Sequence, residues 1–372
     1  MFGMPSILQA VIGFLLLIGP LVVLHELGHY LVARWLGVKS DVFSIGFGKE
    51  LCGWTDRRGT GWRIAAIPLG GYVQFAGDAN AASTPDDAAL AAMSAEEKSH
   101  AFATQPLWKR AAIVAAGPLA NVLVAVTIFA AFFMVFGKIS APPVVGSFAD
   151  NAPAQAAGLK VGDRVLAVDG QKITEFAQIA ELVMPYPGQK VTLRVARGSG
   201  ELDVPVTLMT FVLKDRFGNE SRIGRLGIAP AGAEVVKVGP VDAVGLAFSQ
   251  SWSMVKGLAI GIGQIVTGQR SLDELGGPVK TAKLSGEQLS LGWLNFVSFA
   301  AFISINLAFI NLLPIPTLDG GHLAFYAAEA LRRRPVSDRG QEWAFRTGLA
   351  FVLALMLFVT INDLASLLPL AR

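Results

Sequence analysis

Apolar positions in this chain fall into long unbroken blocks, not into the short stripes of a soluble protein. Residues 7–24, 111–136 and 291–316 are almost free of charge, and each approaches or exceeds the ~20 residues that a hydrocarbon core requires. A fourth block, 347–361, reaches that length only by adding 343–345 and 364–370 around Asp363. Four transmembrane helices follow, over 1–36, 108–137, 291–316 and 343–368. Between the second and third the pattern changes. Alternating runs at Val144–Phe148, Arg164–Val168, Lys190–Val195 and Leu202–Leu208 surround one helical stretch near Phe176–Met184, which predicts a small α+β domain over 142–212. Val255–Val266 is apolar but too short to span. It predicts an amphipathic helix on the membrane surface, within a linker over 213–290.

The loop over 37–107 contains one β-like element, residues 61–77, broken at Pro68-Leu-Gly-Gly71. Its apolar content is compatible with an exposed hairpin or with an element that dips back into the membrane, where irregular backbone survives only along a cavity. Residues 78–100 are rich in Ala, Asp and Ser and predict a mobile loop with an exposed His100. The expected fold is therefore a polytopic α-helical membrane protein with a membrane-associated β hairpin and one inserted extracytoplasmic α+β domain.

Composition agrees. Of 372 residues, 53% are hydrophobic and 16% charged, against ~25% charged in soluble chains. A formal charge of +3 with no basic block excludes a nucleic-acid partner and leaves the lipid bilayer as the surroundings. The single Cys52 excludes an internal disulfide and a cysteine zinc cluster. Residues 1–24 lack Lys and Arg, so the first block reads as a retained span and not as a cleaved signal. Basic residues crowd the segment between blocks one and two, and Arg332–Arg334, Arg339 and Arg346 lie in the segment 322–342 and just beyond it. Both segments read as cytoplasmic, which puts the termini and residues 137–290 on the other side.

The candidate chemistry sits where the first block ends, in His25-Glu-Leu-Gly-His29. On a helix this spacing places two imidazoles on one face, able to bind Zn²⁺, with the Glu26 carboxylate beside them to accept a proton from water. A catalytic zinc usually takes a third protein ligand. The third block ends in Asn311-Leu-Leu-Pro-Ile-Pro-Thr-Leu-Asp319-Gly-Gly-His322, where two prolines open the backbone. Asp319 suits that role, although an aspartate there also suits a helix N-cap. His322 competes as ligand or as a group orienting Asp319.

These motifs, with Pro68-Leu-Gly-Gly-Tyr72, Gly117-Pro-Leu-Ala-Asn121 and Gly158-Leu-Lys-Val-Gly-Asp-Arg-Val-Leu-Ala-Val-Asp-Gly170, resemble the site-2-protease family of intramembrane zinc metalloproteases, in family order over nearly the whole chain. The last motif resembles the core of a bacterial PDZ domain. The resemblance implies one Zn²⁺ per chain held by His25, His29 and Asp319, with Glu26 as general base. It implies that Asn311 sits near the scissile carbonyl and that Pro68, Gly70 and Gly71 belong to a strand edge offered to substrate. Asn121 is a further candidate substrate contact, and Gly117 and Asn121 also fit close helix packing. The implied activity is regulated intramembrane proteolysis in the bacterial inner membrane. The implied substrates are single-span proteins such as anti-sigma factors of the sigma-E stress response, first trimmed by an upstream site-1 protease, and remnant signal peptides. Enteric members carry tandem PDZ domains, whereas this chain shows one such core, with residues 223–230 resembling the stretch that follows the second. Two rival readings are a catalytically silent membrane scaffold presenting a PDZ domain, and a metal transporter; the latter would need ionisable residues spread along a path.

Overall fold

The computed structural model describes residues 6–78, 86–214, 220–272, 275–334 and 336–365. Helix α1 (Ile7–Trp35) is followed by two long strands, β1 (Ser40–Thr55) and β2 (Gly61–Phe75), two short helices, α2 (Asp87–Ala92) and α3 (Ala95–His100), and the long helix α4 (Leu107–Phe136). Then come β3 (Lys138–Ser140), β4 (Val145–Phe148), α5 (Pro153–Ala156), β5 (Arg164–Val168), β6 (Gln171–Lys172), α6 (Phe176–Val183), β7 (Lys190–Arg197) and β8 (Gly200–Thr207). The chain continues through β9 (Met209–Lys214), β10 (Glu220–Arg225), β11 (Ile228–Pro230), β12 (Glu234–Val236) and α7 (Pro240–Val266), and ends with α8 (Pro278–Ser290), α9 (Trp293–Asn311), α10 (Asp319–Arg332) and α11 (Asp338–Ala365). These elements form two compact units, one of residues up to 128 and 276–363, the other chiefly of residues 129–275.

Among the described residues, α1, α4, α9 and α11 are the four helices long and apolar enough to cross a membrane. The third is shorter than its apolar block. It stops at Asn311, because Pro314 and Pro316 cannot continue the hydrogen-bonding ladder. The fourth begins earlier than expected, at Asp338. Close backbone approach holds α1 in place. A Cβ on Gly13 would lie 2.8 Å from the Gly286 nitrogen of α8, and one on Gly28 would lie 2.4 Å from the Ala116 carbonyl of α4. Small residues at such crossings let helices associate in lipid, where apolar burial adds little. Helix α8 therefore corrects the expected linker over 213–290. Its residues belong to the membrane-helix unit, and buried Asp363 of α11 caps its N-terminus by accepting from the Gly277 and Lys280 N–H groups.

The loop over 37–107 is more ordered than its sequence suggests. Strand β1 pairs with β2 throughout, and both bend, β1 at Gly46–Gly48 and β2 at Pro68–Gly70, where Gly46, Gly48 and Gly70 have positive φ. As a result residues 40–45 lie between 71–75 and 61–64, and 61–64 also pair with 52–55. The bend reaches alongside the middle of α1, where a Cβ on Gly19 would be 3.8 Å from the Pro68 carbonyl. Phe43, Val73 and Phe75 pack with Tyr30, Ala33, Ile113 and Tyr326 into one core joining the sheet to α1, α4 and α10. Residues 86–100 are a correction to the expected loop. They form α2, capped by Asp86, and α3, closed by a Ser94–Glu97 capping box, while 79–85 lie outside the described residues. His100 is exposed, with Nδ1 donating to the Gly37 carbonyl at 2.7 Å.

The second unit holds a four-stranded sheet in the order β6-β5-β7-β8 and a core of Val165, Leu193, Val195, Val206, Ile179 and neighbours. Its strands and α6 fall close to where the alternation placed them. The boundary at 212 is too early, because β11 pairs with β4 and Leu226 is buried in the same core. Residues 223–230 thus complete this domain and do not follow it. Helix α7 runs 27 residues, longer than the expected Val255–Val266, and is not among the membrane-capable helices.

Candidate metal centre

Helix α1 puts His25, Glu26 and His29 on adjoining faces over one turn, as a 3.6-residue period requires. Both histidines are buried. Helix α10 begins at Asp319, and the helix dipole favours a carboxylate in that first turn. Gly320 and Gly321 let α10 start hard against the preceding loop: a Cβ on either would come within 2.3 Å of a carbonyl of Leu312, Leu313 or Ile315.

Donor groups of three residues converge there. His25 Nε2 is 3.2 Å from His29 Nε2 and 3.1 Å from Asp319 Oδ2, and His29 Nε2 is 3.6 Å from the other carboxylate oxygen, Oδ1. Bonds of ~2.0–2.1 Å to a tetrahedral zinc imply donors ~3.3–3.4 Å apart, so the two imidazoles and the carboxylate are spaced as the donor triangle of a tetrahedral site requires. His29 Nδ1 is 2.8 Å from the Ile113 carbonyl. A carbonyl can only accept, so Nδ1 carries the proton and the Nε2 lone pair faces the other donors. These residues fit a zinc ion. His322 does not join the triangle, and its ring packs against Phe345 and Tyr326.

Glu26 adjoins the strand 71–75. The Val73 N–H lies beside its side chain, and a Cβ on Gly71 would lie 3.5 Å from its Cγ. Pro68 and buried Gly70 occupy the bend of β2, and half-buried Asn311 closes α9. Asn121 is almost fully buried on α4, with its side-chain nitrogen 3.4 Å from His25 Nδ1. Gly117, one turn earlier, provides the space for both imidazoles: a Cβ there would fall 2.2 Å from His29 Nε2 and 2.9 Å from His25 Cε1. Sequence reasoning had read Gly117 as a packing residue. Its four-residue spacing to Asn121 was the available signal that both face α1.

Residues 13–355 match the model of Peptidase family M50, and the chain belongs to this site-2-protease family. Relatives with provisional zinc-metalloprotease names are 44% identical over 362 residues in Agrobacterium fabrum, covering 96% of each chain, and 44% identical over 355 residues in Rhizobium meliloti, covering 94% of this chain and 95% of the relative. Metalloprotease MmpA of Caulobacter vibrioides is 36% identical over 385 residues, covering 97% of this chain and 96% of that one. Among solved structures, the PDZ domain of an SdrC-like protein of Listeria monocytogenes aligns at 22% identity with TM-score 0.19, covering 23% of this chain and 84% of that chain. The chain is thus a zinc metalloprotease of family M50, with four membrane-capable helices among the described residues.

Proposed function

We propose that the chain is an intramembrane endopeptidase that cleaves single-span membrane proteins, using one zinc held by His25, His29 and Asp319. The observation that carries this reading is the donor triangle beside Glu26, built on a helix that is itself membrane-capable. Zinc bound there supplies a Lewis acid that acidifies water and polarises a carbonyl. Glu26 accepts the proton of the attacking water and returns it to the amine as the peptide C–N bond breaks. Among the described residues, strand 71–75 pairs with 40–45 on one side only. Its outer edge gives an unwound substrate the hydrogen bonds that a helix loses inside a membrane. Asn311 hydrogen-bonds the substrate backbone or the developing oxyanion.

Basic residues and exposed tryptophans support a shared cytoplasmic interface: Arg34 with Trp35 at the end of α1, Trp108 with Lys109 and Arg110 at the start of α4, and Trp343 with Arg339 and Arg346 on α11. Residues 142–230 then lie outside the cytoplasm, and their GLxxGD-type turn and sheet support a PDZ domain that engages trimmed substrates, with anti-sigma factors as the expected class.

Glu26→Gln tests the reading. The variant retains zinc and fold and loses cleavage of a membrane-embedded model substrate in proteoliposomes. Undiminished cleavage would sink the assignment.

A further inference from the structure

The two imidazoles of the donor triangle are not held alike. His29 is fixed through Nδ1 by a carbonyl that can only accept. His25 has its Nδ1 beside an amide, that of Asn121, with Nδ2 at 3.4 Å. Asn121 is 1% exposed, yet its Oδ1 is buried without a hydrogen-bond partner, an arrangement that is unfavourable.

An amide donor can pair with Nδ1 only when that nitrogen is bare. The ring proton then sits on Nε2, where it points to Asp319 Oδ2 at 3.1 Å. Such an Nε2 has no lone pair to give to a metal. Exchanging the two ends of the amide reverses this. Oδ1 gains a donor in Nδ1–H, and Nε2 presents its lone pair to the triangle. The main chain of Asn121 need not move. Its carbonyl accepts from buried Ser304 Oγ at 2.8 Å, which ties α4 to α9, and Gly117 leaves room for the ring one turn away. Only the terminal amide torsion changes, and that torsion is soft.

We propose that Asn121 is the positioning residue of His25: its side-chain carbonyl turns to His25 Nδ1 and selects the tautomer that binds metal. The proposal rests on the ligand set given above and assigns Asn121 a place behind a ligand, away from the substrate.

The test uses the full-length chain purified in detergent, stripped of metal and reloaded with zinc or cobalt. Asn121→Asp offers an acceptor at either end of the group. Asn121→Leu keeps the branched outline of the side chain and offers none. Zinc affinity, read by chelator competition, is expected to stay close to wild type in the Asp variant and to fall ~10–100-fold in the Leu variant, with the cobalt spectrum altered in the latter alone and melting temperature unchanged in both. Wild-type affinity in the Leu variant, or equal loss in both, would overturn the proposal. Nitrogen NMR of the four histidines provides a readout independent of either variant's folding. In the zinc-loaded wild type the His25 proton is expected on Nδ1, and a proton on Nε2 refutes the idea. His25→Ala separates the two levels: if that variant keeps full zinc affinity, the ligand set itself is wrong.

Discussion

Replacing Gly117 with alanine tests the whole architecture of the metal centre. The added Cβ would lie 2.2 Å from His29 Nε2, 2.4 Å from His29 Cε1 and 2.9 Å from His25 Cε1, where ordinary contact begins at 3.4 Å. The His29 ring must therefore recede by 3.4 − 2.2 = 1.2 Å. Metal–ligand distances tolerate only ~0.2 Å. Separating the helices to absorb the difference would give up the close backbone packing at Gly28, one residue before His29, where a Cβ would lie 2.4 Å from the Ala116 carbonyl. A ring turned away also abandons its bond to the Ile113 carbonyl. We expect at least a ~100-fold loss of zinc affinity, or ~3 kcal/mol. Chelator competition and metal content of the purified full chain measure it. Gly19→Ala serves as control, since its Cβ would meet only the Pro68 carbonyl, at an ordinary 3.8 Å. Wild-type zinc content and affinity in Gly117→Ala would refute the reasoning.

Two further outcomes follow from contacts away from the metal. Asp163 is 1% exposed in its side chain and pairs with Arg197, whose hydrogen bonds hold the Asp163 carboxyl below its ordinary range. A depressed folded-state pKa stabilises the 142–230 domain above the ordinary carboxylate pKa, and the contribution vanishes as pH falls through the lower folded value; hydrogen exchange of this segment in the full chain should show Arg197→Leu speeding exchange at neutral pH and having little effect once Asp163 is protonated. Asp363→Ala removes the side-chain acceptor of the Gly277 and Lys280 N–H groups and is expected to cost ~1 kcal/mol, seen as faster exchange confined to the first turn of α8; unchanged exchange there would show that water replaces the cap.

Much of the centre was legible because its signals are local. A helix repeats every 3.6 residues, so HExxH places His25 and His29 together whatever surrounds them. Lipid admits only backbone that satisfies itself, so long uncharged blocks read as spanning helices. Pro314 and Pro316 marked the end of α9, and the alternation at Arg164–Val168 and Lys190–Val195 marked strands with a buried face. The alternation of Phe43, Ile45 and Phe47 in β1 was equally available, but the strand is bent at glycines and reads as loop unless its partner is known.

What only the tertiary structure decided depends on contacts across hundreds of residues. Asp319 and His322 were both acceptable third ligands by type; the packing of α10 against the loop after α9 brings the aspartate to the triangle and turns the histidine toward Phe345. Helix α8 looked like linker, because its sequence is polar for a membrane neighbour and its place depends on Gly13 and Gly286 admitting close backbone contact. In the sequence Gly117 offered only close packing, and Asn121 packing or a substrate contact, not a role beside the metal ligands. They acquire it because α4 crosses α1 closely enough for one to make room for two imidazoles and the other to face His25 Nδ1, a distance set by the helix pair and by neither helix alone.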